Sequence, residues 1–289
     1  MTLPPIGRRE ALAALLAAAA GCARGPRTSA ATRVVSLSPS TTEAVFALGA
    51  GTLLAGRTSH CDHPPEARPL PVVGGFADPS VEKIIALRPT LVVGARGPAG
   101  PALAQALGGH GIDTFFPETE SIAQIEAMLV ELGRRLGRDP APTVGHIEAA
   151  RRRVREGVTG RPRVRAVFLF DVAPIVAAGP GSFPAELVRE AGGESLITAG
   201  GQYPTLDVER LLALDPQVIL DGSMDASARS SRIAELREAP GWRSLAAVRE
   251  GRVRAVSASI ALRPGPRIGE GLMAVARALH GESVIGAAP

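Results

Sequence analysis

Val81-Glu82-Lys83-Ile84-Ile85-Ala86-Leu87-Arg88-Pro89-Thr90-Leu91-Val92-Val93 returns further along the chain as Val208-Glu209-Arg210-Leu211-Leu212-Ala213-Leu214-Asp215-Pro216-Gln217-Val218-Ile219-Leu220. The copies keep residue class at nearly every position, with an acid second, a base third, apolar residues at helical spacing and proline ninth. Glu82 or Glu209 falls in the first turn of a short helix, where a carboxylate complements the positive end of the dipole. Ile84, Ile85 and Leu87, or Leu211, Leu212 and Leu214, form its apolar face. Proline cannot continue a helix, so each unit turns at Pro89 or Pro216 and enters an apolar run of strand type. Helix, stop, strand is half of an α/β unit, and its repetition predicts two related lobes.

Outward from the first copy, residues 33–37 read as a strand and Ser38-Pro39-Ser40-Thr41-Thr42-Glu43 as a helix start. Ser40 or Thr41 is its expected cap, and Glu43 closes a capping box if the cap is Ser40. A strand begins at residues 53–56, and Asp78 or Ser80 caps the repeat helix. Residues 102–107 are helical and 114–116 extended. The alternation marks residues 33–136 as an N-terminal α/β lobe with a largely parallel sheet. Residues 122–136 and 142–158 then read as helices. The second sets Val144, Ile147, Ala150 and Val154 beside a basic face of Arg151, Arg152, Arg153 and Arg155. At 1.5 Å per residue it spans about 25 Å, so residues 137–158 are expected to form a rigid interdomain backbone helix. Residues 159–280 repeat the grammar as a C-terminal lobe. Its strands are expected at 165–170, 176–178, 218–220 and 252–256, and its last helix at 268–279. Residues 221–231 read as a polar loop and 281–289 as a frayed tail. The fold class is α/β: two similar lobes with mostly parallel sheets, joined by one long helix, with a cleft between them.

Composition narrows the function. Hydrophobic residues make up 45% of the 289 and aromatics only 3%, so the few aromatic rings call for individual inspection. The formal charge is +4, with Lys83 the only lysine among 32 basic residues. Acidic residues are interspersed, and no basic stripe with interleaved aromatics suggests nucleic-acid binding. At the N-terminus Arg8-Arg9 precede an apolar stretch, residues 11–20, that ends in Gly21-Cys22. That stretch is too short to span a bilayer and reads as an export signal over residues 1–21, of twin-arginine or general secretory type. Cys22 is the expected lipidation site and residues 22–32 a tether. Cys61 is then left without an internal disulfide partner and reads as a small buried apolar residue.

His60-Cys61-Asp62-His63, in a loop rich in proline, is the densest polar cluster. His60, Cys61 and His63 are donors a metal would accept, yet their spacing matches no closed zinc site, and a solvated loop is the simpler reading. Gly49-Ala50-Gly51 follows a helix instead of opening one and lacks a third glycine in register, which removes nucleotide binding. The sequence carries no nucleophile elbow, Cys-x-x-Cys or zincin helix, so no enzyme is expected, and a metal- or thiol-dependent enzyme using the His60-Cys61-Asp62-His63 loop is the alternative with least support.

Arg33-Val34-Val35-Ser36-Leu37-Ser38-Pro39, Asp62-His63-Pro64-Pro65, Gly179-Pro180-Gly181-Ser182-Phe183, Arg263-Pro264-Gly265-Pro266-Arg267-Ile268 and the two repeat phrases together resemble the substrate-binding proteins of ABC importers. The likeness covers residues 33–280. It is strongest to the helical-backbone group serving cobalamin, haem and ferric siderophores, and within it to the cobalamin-binding proteins. The resemblance implies a monomeric receptor, periplasmic or at the cell envelope, that holds a metal-chelate ligand between its lobes. It would deliver that ligand to a permease and its ATPase in the inner membrane. It places the cleft side chains at His60, Phe76, Tyr203 and Arg263, and a permease-docking carboxylate on each lobe at Glu82 and Glu209. Cobalamin or a related corrinoid is the expected ligand, with haem or a ferric siderophore as the alternative. His60 stands where cobalamin relatives often carry tyrosine, and its imidazole is able to stack or to ligate iron or cobalt.

Overall fold

Alternating apolar side chains along short strands divide the core of this computed structural model into layers. It describes residues 32–96, 100–223 and 229–286. The expected signal, Cys22 and all of the tether but Thr32 lie outside the described residues, as do residues 224–228 of the 221–231 loop and residues 287–289. Residues 33–289 form a unit separate from 1–32.

The first lobe runs β1 (Val34–Ser36), α1 (Pro39–Ala47), β2 (Leu54–Arg57), α2 (Val81–Ala86), β3 (Leu91–Val93), α3 (Gly100–Gly108), β4 (Asp113–Phe115) and α4 (Ile122–Leu136). Its sheet has the order β2-β1-β3-β4 with every pairing parallel. After α5 (Ala141–Val158) the second lobe runs β5 (Val164–Val172), β6 (Ile175–Ala177), α6 (Phe183–Glu190), β7 (Gly193–Ser195), β8 (Thr205–Leu206), α7 (Val208–Leu214) and β9 (Val218–Asp221). It finishes with α8 (Arg229–Glu238), α9 (Ala246–Arg249), β10 (Val253–Ala255), α10 (Ala258–Ala261) and α11 (Ile268–His280). The second sheet, β10-β9-β5-β6-β8 with β7 also on β5, is mixed, because β6 pairs antiparallel with both β5 and β8.

Successive residues of a strand point to opposite faces. Val34 of β1, Leu91 and Val93 of β3, Ala166 and Phe168 of β5, and Val218 and Leu220 of β9 all join one apolar cluster with α4, α5, α6 and α11. Val35 and Val92 face a second cluster beneath α2, and Val167, Leu169 and Ile219 a third beneath α7. The two sheets therefore share their inner helical layer, and the repeat helices cover the outer faces. Ile84 and Leu211, the fourth residue of each copy, are both fully buried there. Arg88 and Asp215, the eighth residues, adopt positive φ (49° and 43°), and no other non-glycine residue among those described does so. A following proline disfavours the right-handed helical region for the residue before it, which is why both helices stop in this way.

Helix α5 touches both lobes. Thr143 Oγ1 donates to the Ala47 carbonyl of α1 at 3.2 Å, and Arg151 forms a bidentate pair with Glu190 of α6 at 2.6 and 2.9 Å. Three local readings change. Ser38, not Ser40 or Thr41, caps α1, leaving Glu43 in the middle of the helix with no part in a capping box. Residues 282–285 form a 3₁₀ turn with Val284 and Ile285 buried, so this part of the expected tail is packed. The apolar pair is held against α5, where a Cβ on Gly157 would lie 2.0 Å from the Val284 carbonyl oxygen. Strand β7 follows α6 where only a glycine stop was expected, because its three residues are ordered by pairing with β5 and not by their own pattern.

Candidate functional site

The β1–α1 turn forms the floor of the interlobe cleft. Its hydroxyls bond to one another: Thr41 Oγ1 lies 2.8 Å from both Ser36 Oγ and Ser38 Oγ, and Thr42 Oγ1 donates to Ser36 Oγ at 2.8 Å. All four side chains are buried, so the network fixes the turn without presenting free donors.

Above this floor opens a cleft of about 760 Å³. His60 and Phe76 of the first lobe and Tyr203 and Arg263 of the second all line it, so the structure brings the four expected ligand-binding residues together. Phe76 and Tyr203, at 46% and 39% exposure, are the two exposed large aromatics among the described residues. Apolar rings left open in a concave site offer binding area. Tyr203 is held in place: its ring meets Phe170 edge-on at 5.0 Å, and its hydroxyl donates to Glu120 of the first lobe. Burial, and then Glu120, push its phenol well above the ordinary range. The Gly-Pro-Gly motif supports the loop from behind. Gly179 N–H donates to the Gln202 carbonyl at 2.8 Å, and a Cβ on Gly179 would lie 2.1 Å from the Gly201 oxygen. Only glycine permits that approach.

Arg263 is not a free cation. Its Nη1 donates to Asp62 at 2.8 Å and to Glu43 at 3.1 Å, both across the lobe boundary. Arg267 holds the same Glu43 in a fork, Nε to Oε2 and Nη2 to Oε1, each 2.8 Å. Glu43 is 3% exposed, so a buried carboxylate of the first lobe anchors two arginines of the second. The hydrogen bond from Arg263 holds the Asp62 carboxyl below the usual carboxylate range. The other cleft arginine, Arg96, pairs with Glu118. Glu43, Glu118, Glu120 and Arg267 were not expected at the site, since each finds its partner far along the chain, 22 to 224 positions away.

The His60-Cys61-Asp62-His63 cluster is dispersed. His60 lines the cleft, Asp62 meets Arg263, and His63 lines a separate cavity behind α1. Cys61 is fully buried, its Sγ 3.2 Å from Thr58 Oγ1. Among the described residues no three His, Cys, Asp or Glu side chains are grouped to hold a metal, and no helix is long and apolar enough to cross a membrane.

Glu82 and Glu209 are exposed, away from the cleft lining, each in the first turn of its repeat helix. Ser80 Oγ caps one helix by accepting from Lys83 N–H at 3.2 Å, and Asp207 the other by accepting from Arg210 N–H at 2.7 Å.

This architecture and this sequence recur in known proteins. Residues 34–259 match the periplasmic binding protein family. The vitamin B12-binding protein of Salmonella paratyphi A is 31% identical over 197 residues, 66% of this chain and 72% of that protein. That of Yersinia pseudotuberculosis serotype O:3 is 30% identical, covering 66% and 69%. Among solved structures, the periplasmic haem-binding protein RhuT from Roseiflexus sp. RS-1 superposes with a TM-score of 0.75 at 26% identity, covering 87% of this chain and 100% of that one. The periplasmic vitamin B12-binding protein BtuF of Vibrio cholerae gives 0.70 at 26%, covering 86% and 96%. These relatives are binding proteins. By family match and by fold, the chain belongs to the periplasmic binding proteins.

Proposed function

We propose that the protein is the exported, lipid-anchored receptor of an ABC importer, and that it carries cobalamin or a related corrinoid in the interlobe cleft. Phe76 and Tyr203 would pack on the macrocycle, while His60 and Arg263 fix its orientation or contact its periphery. Glu82 and Glu209 would meet the permease, and Cys22 would carry the lipid.

The charge state of the cleft carries the choice of ligand. Both arginines that line it are committed to carboxylates, Arg263 to Asp62 and Glu43 and Arg96 to Glu118, while Asp78 and Glu120 add negative charge. Haem brings two propionates, which favour uncommitted cations able to form charge-assisted bonds. A corrin brings uncharged amides, which a cleft of paired charges accepts without leaving a buried ion unpartnered. The roughly 30% identity to vitamin B12-binding proteins supports the same reading.

Haem is the second reading, favoured by His60, an imidazole in the cleft able to ligate iron, and by the likeness to solved haem-binding proteins. Calorimetric titration with cyanocobalamin and with haemin, followed by absorbance, separates the two. Saturable cobalamin binding weakened by Phe76→Ala and by Tyr203→Ala is expected. Haemin binding, with a Soret shift lost in His60→Ala and no cobalamin binding, overturns the corrinoid assignment.

A further inference from the structure

Helix α6 connects two different environments. Its first residue, Phe183, lines the cleft, and its last turn, Arg189 and Glu190, lines a cavity of about 370 Å³ on the other side of the second lobe. Eight residues at 1.5 Å each separate the two sites by about 12 Å. The far cavity lies where α5 and α6 end and β5 and β7 begin, and its wall includes Arg151, Arg155, Arg161, Arg163 and Arg189.

Among the described residues Glu190 is the one acidic side chain in that wall, and Arg151 takes both of its oxygens. The other four arginines have no carboxylate partner among the described residues. The negative ends of two helices explain part of this gathering, since cations are favoured there. Arg161 donates Nε to the Gly157 carbonyl at 2.8 Å, and Arg163 donates Nη1 to the Gly193 carbonyl at 2.9 Å. Each of those contacts uses one of five guanidinium donors and none of the charge. Arg155 and Arg189 are exposed and cap nothing described. Four unneutralised guanidinium groups around one concavity repel one another, at a cost that an anion between them would remove. Burial first, and to a lesser degree Arg161, hold the neighbouring His280 imidazole below the ordinary range, against the hydrogen bond to the Ala191 carbonyl.

We propose that this cavity is a second binding site, separate from the cleft, for a phosphate-bearing anion. Planar guanidinium forks match the paired oxygens of a phosphate group, and several forks converging from different elements favour a multivalent or clustered phosphate. The group belongs either to a soluble phosphate compound or to an anionic lipid headgroup.

Titration calorimetry with inorganic pyrophosphate tests the first source, and co-sedimentation with phosphatidylglycerol vesicles, set against phosphatidylcholine vesicles, tests the second. The expected result is saturable pyrophosphate binding, or selective capture by phosphatidylglycerol, that weakens with added salt and is lost in Arg155→Gln/Arg189→Gln. Both side chains are exposed and have no carboxylate partner among the described residues, so the variant should fold, with a melting temperature no lower than that of the wild type because two mutually repelling charges are removed. If the double variant fails to fold, Arg163→Gln alone should weaken the same binding. Binding to neither probe, or binding that persists undiminished in a folded variant, overturns the proposal.

Discussion

Glu43→Ala is the sharpest test of how the lobes are joined. The wild-type carboxylate is 3% exposed and accepts three hydrogen bonds of 2.8 to 3.1 Å, two from Arg267 and one from Arg263. Removing one member of a buried pair typically costs about 3–5 kcal/mol, because the other charge is left desolvated. Here the loss is softened. Arg263 keeps Asp62, and Arg267 keeps the Ser259 carbonyl at 2.8 Å, so the low end of that range, about 3 kcal/mol, is expected. For a domain of this size roughly 2–4 °C of melting temperature accompanies each kcal/mol, giving a fall of about 6–12 °C. Urea unfolding followed by Trp242 fluorescence measures it directly, since the chain's one tryptophan is buried in the second lobe. Circular dichroism samples both lobes, and coincident transitions show whether they unfold together. Glu43→Met/Arg267→Met removes both charges and should restore most of the loss. A cost below about 1 kcal/mol for Glu43→Ala, or a double variant as unstable as the single one, would refute the assignment of this pair as the interlobe anchor.

Three further outcomes follow from neighbouring contacts. The Asp62 carboxyl has a depressed folded pKa, so its contribution to stability is complete above the ordinary carboxylate range and disappears as pH falls through the folded value. The difference in urea midpoint between wild type and Asp62→Asn should therefore shrink on acidification, and a difference independent of pH would count against the pairing with Arg263. Gly179→Ala forces a Cβ to within 2.1 Å of the Gly201 oxygen and displaces the Tyr203 loop, so cobalamin affinity should fall by up to about 1.5–3 kcal/mol, the scale of one lost aromatic contact. Calorimetry reads that loss. Glu82→Ala with Glu209→Ala should leave affinity intact while reducing uptake through the importer in cells, and undiminished uptake would remove the docking role.

The sequence made the fold legible wherever an element carries its own periodicity or its own stop. Helix α4 was readable to the residue, because Ser121 caps it and Gly137 ends it in the left-handed region. Strands β7 and β8, of three and two residues, have no pattern of their own and exist through their pairing with β5 and β6. In the cleft, the aromatic residues were legible by resemblance, but the charges were not. Arg263 was placed in the cleft by resemblance, but its two carboxylates, some two hundred residues away, were not foreseen, and Glu43 looked like a local capping group because Ser40 stands three residues before it. Local hydrogen-bond patterns are visible in a sequence, whereas partners brought together by closing two lobes are not.

The repeated phrase reaches further in space than in sequence. Arg33, just before β1, accepts the Thr90 N–H at its carbonyl and donates its own N–H to Thr90 Oγ1, at 2.8 and 2.9 Å. Arg165, at the start of β5, does the same with Gln217, with the same two distances. Both arginines then reach back with their guanidinium groups to the carbonyl of the seventh repeat residue, Leu87 or Leu214. Thr90 and Gln217 are different residue types, which hides the correspondence from sequence. Each repeat helix is thus capped in front by Ser80 or Asp207, braced behind by an arginine and pinned beneath by Ile84 or Leu211. A helix dipole alone accounts for a glutamate in the first turn of either helix. It does not account for two glutamates mounted on frames that agree at the cap, the buried anchor, the strained residue before proline and the brace. Equivalent mounting on rigid elements is what a partner contacting both lobes at once requires, and the simultaneous loss of both carboxylates is therefore the informative substitution.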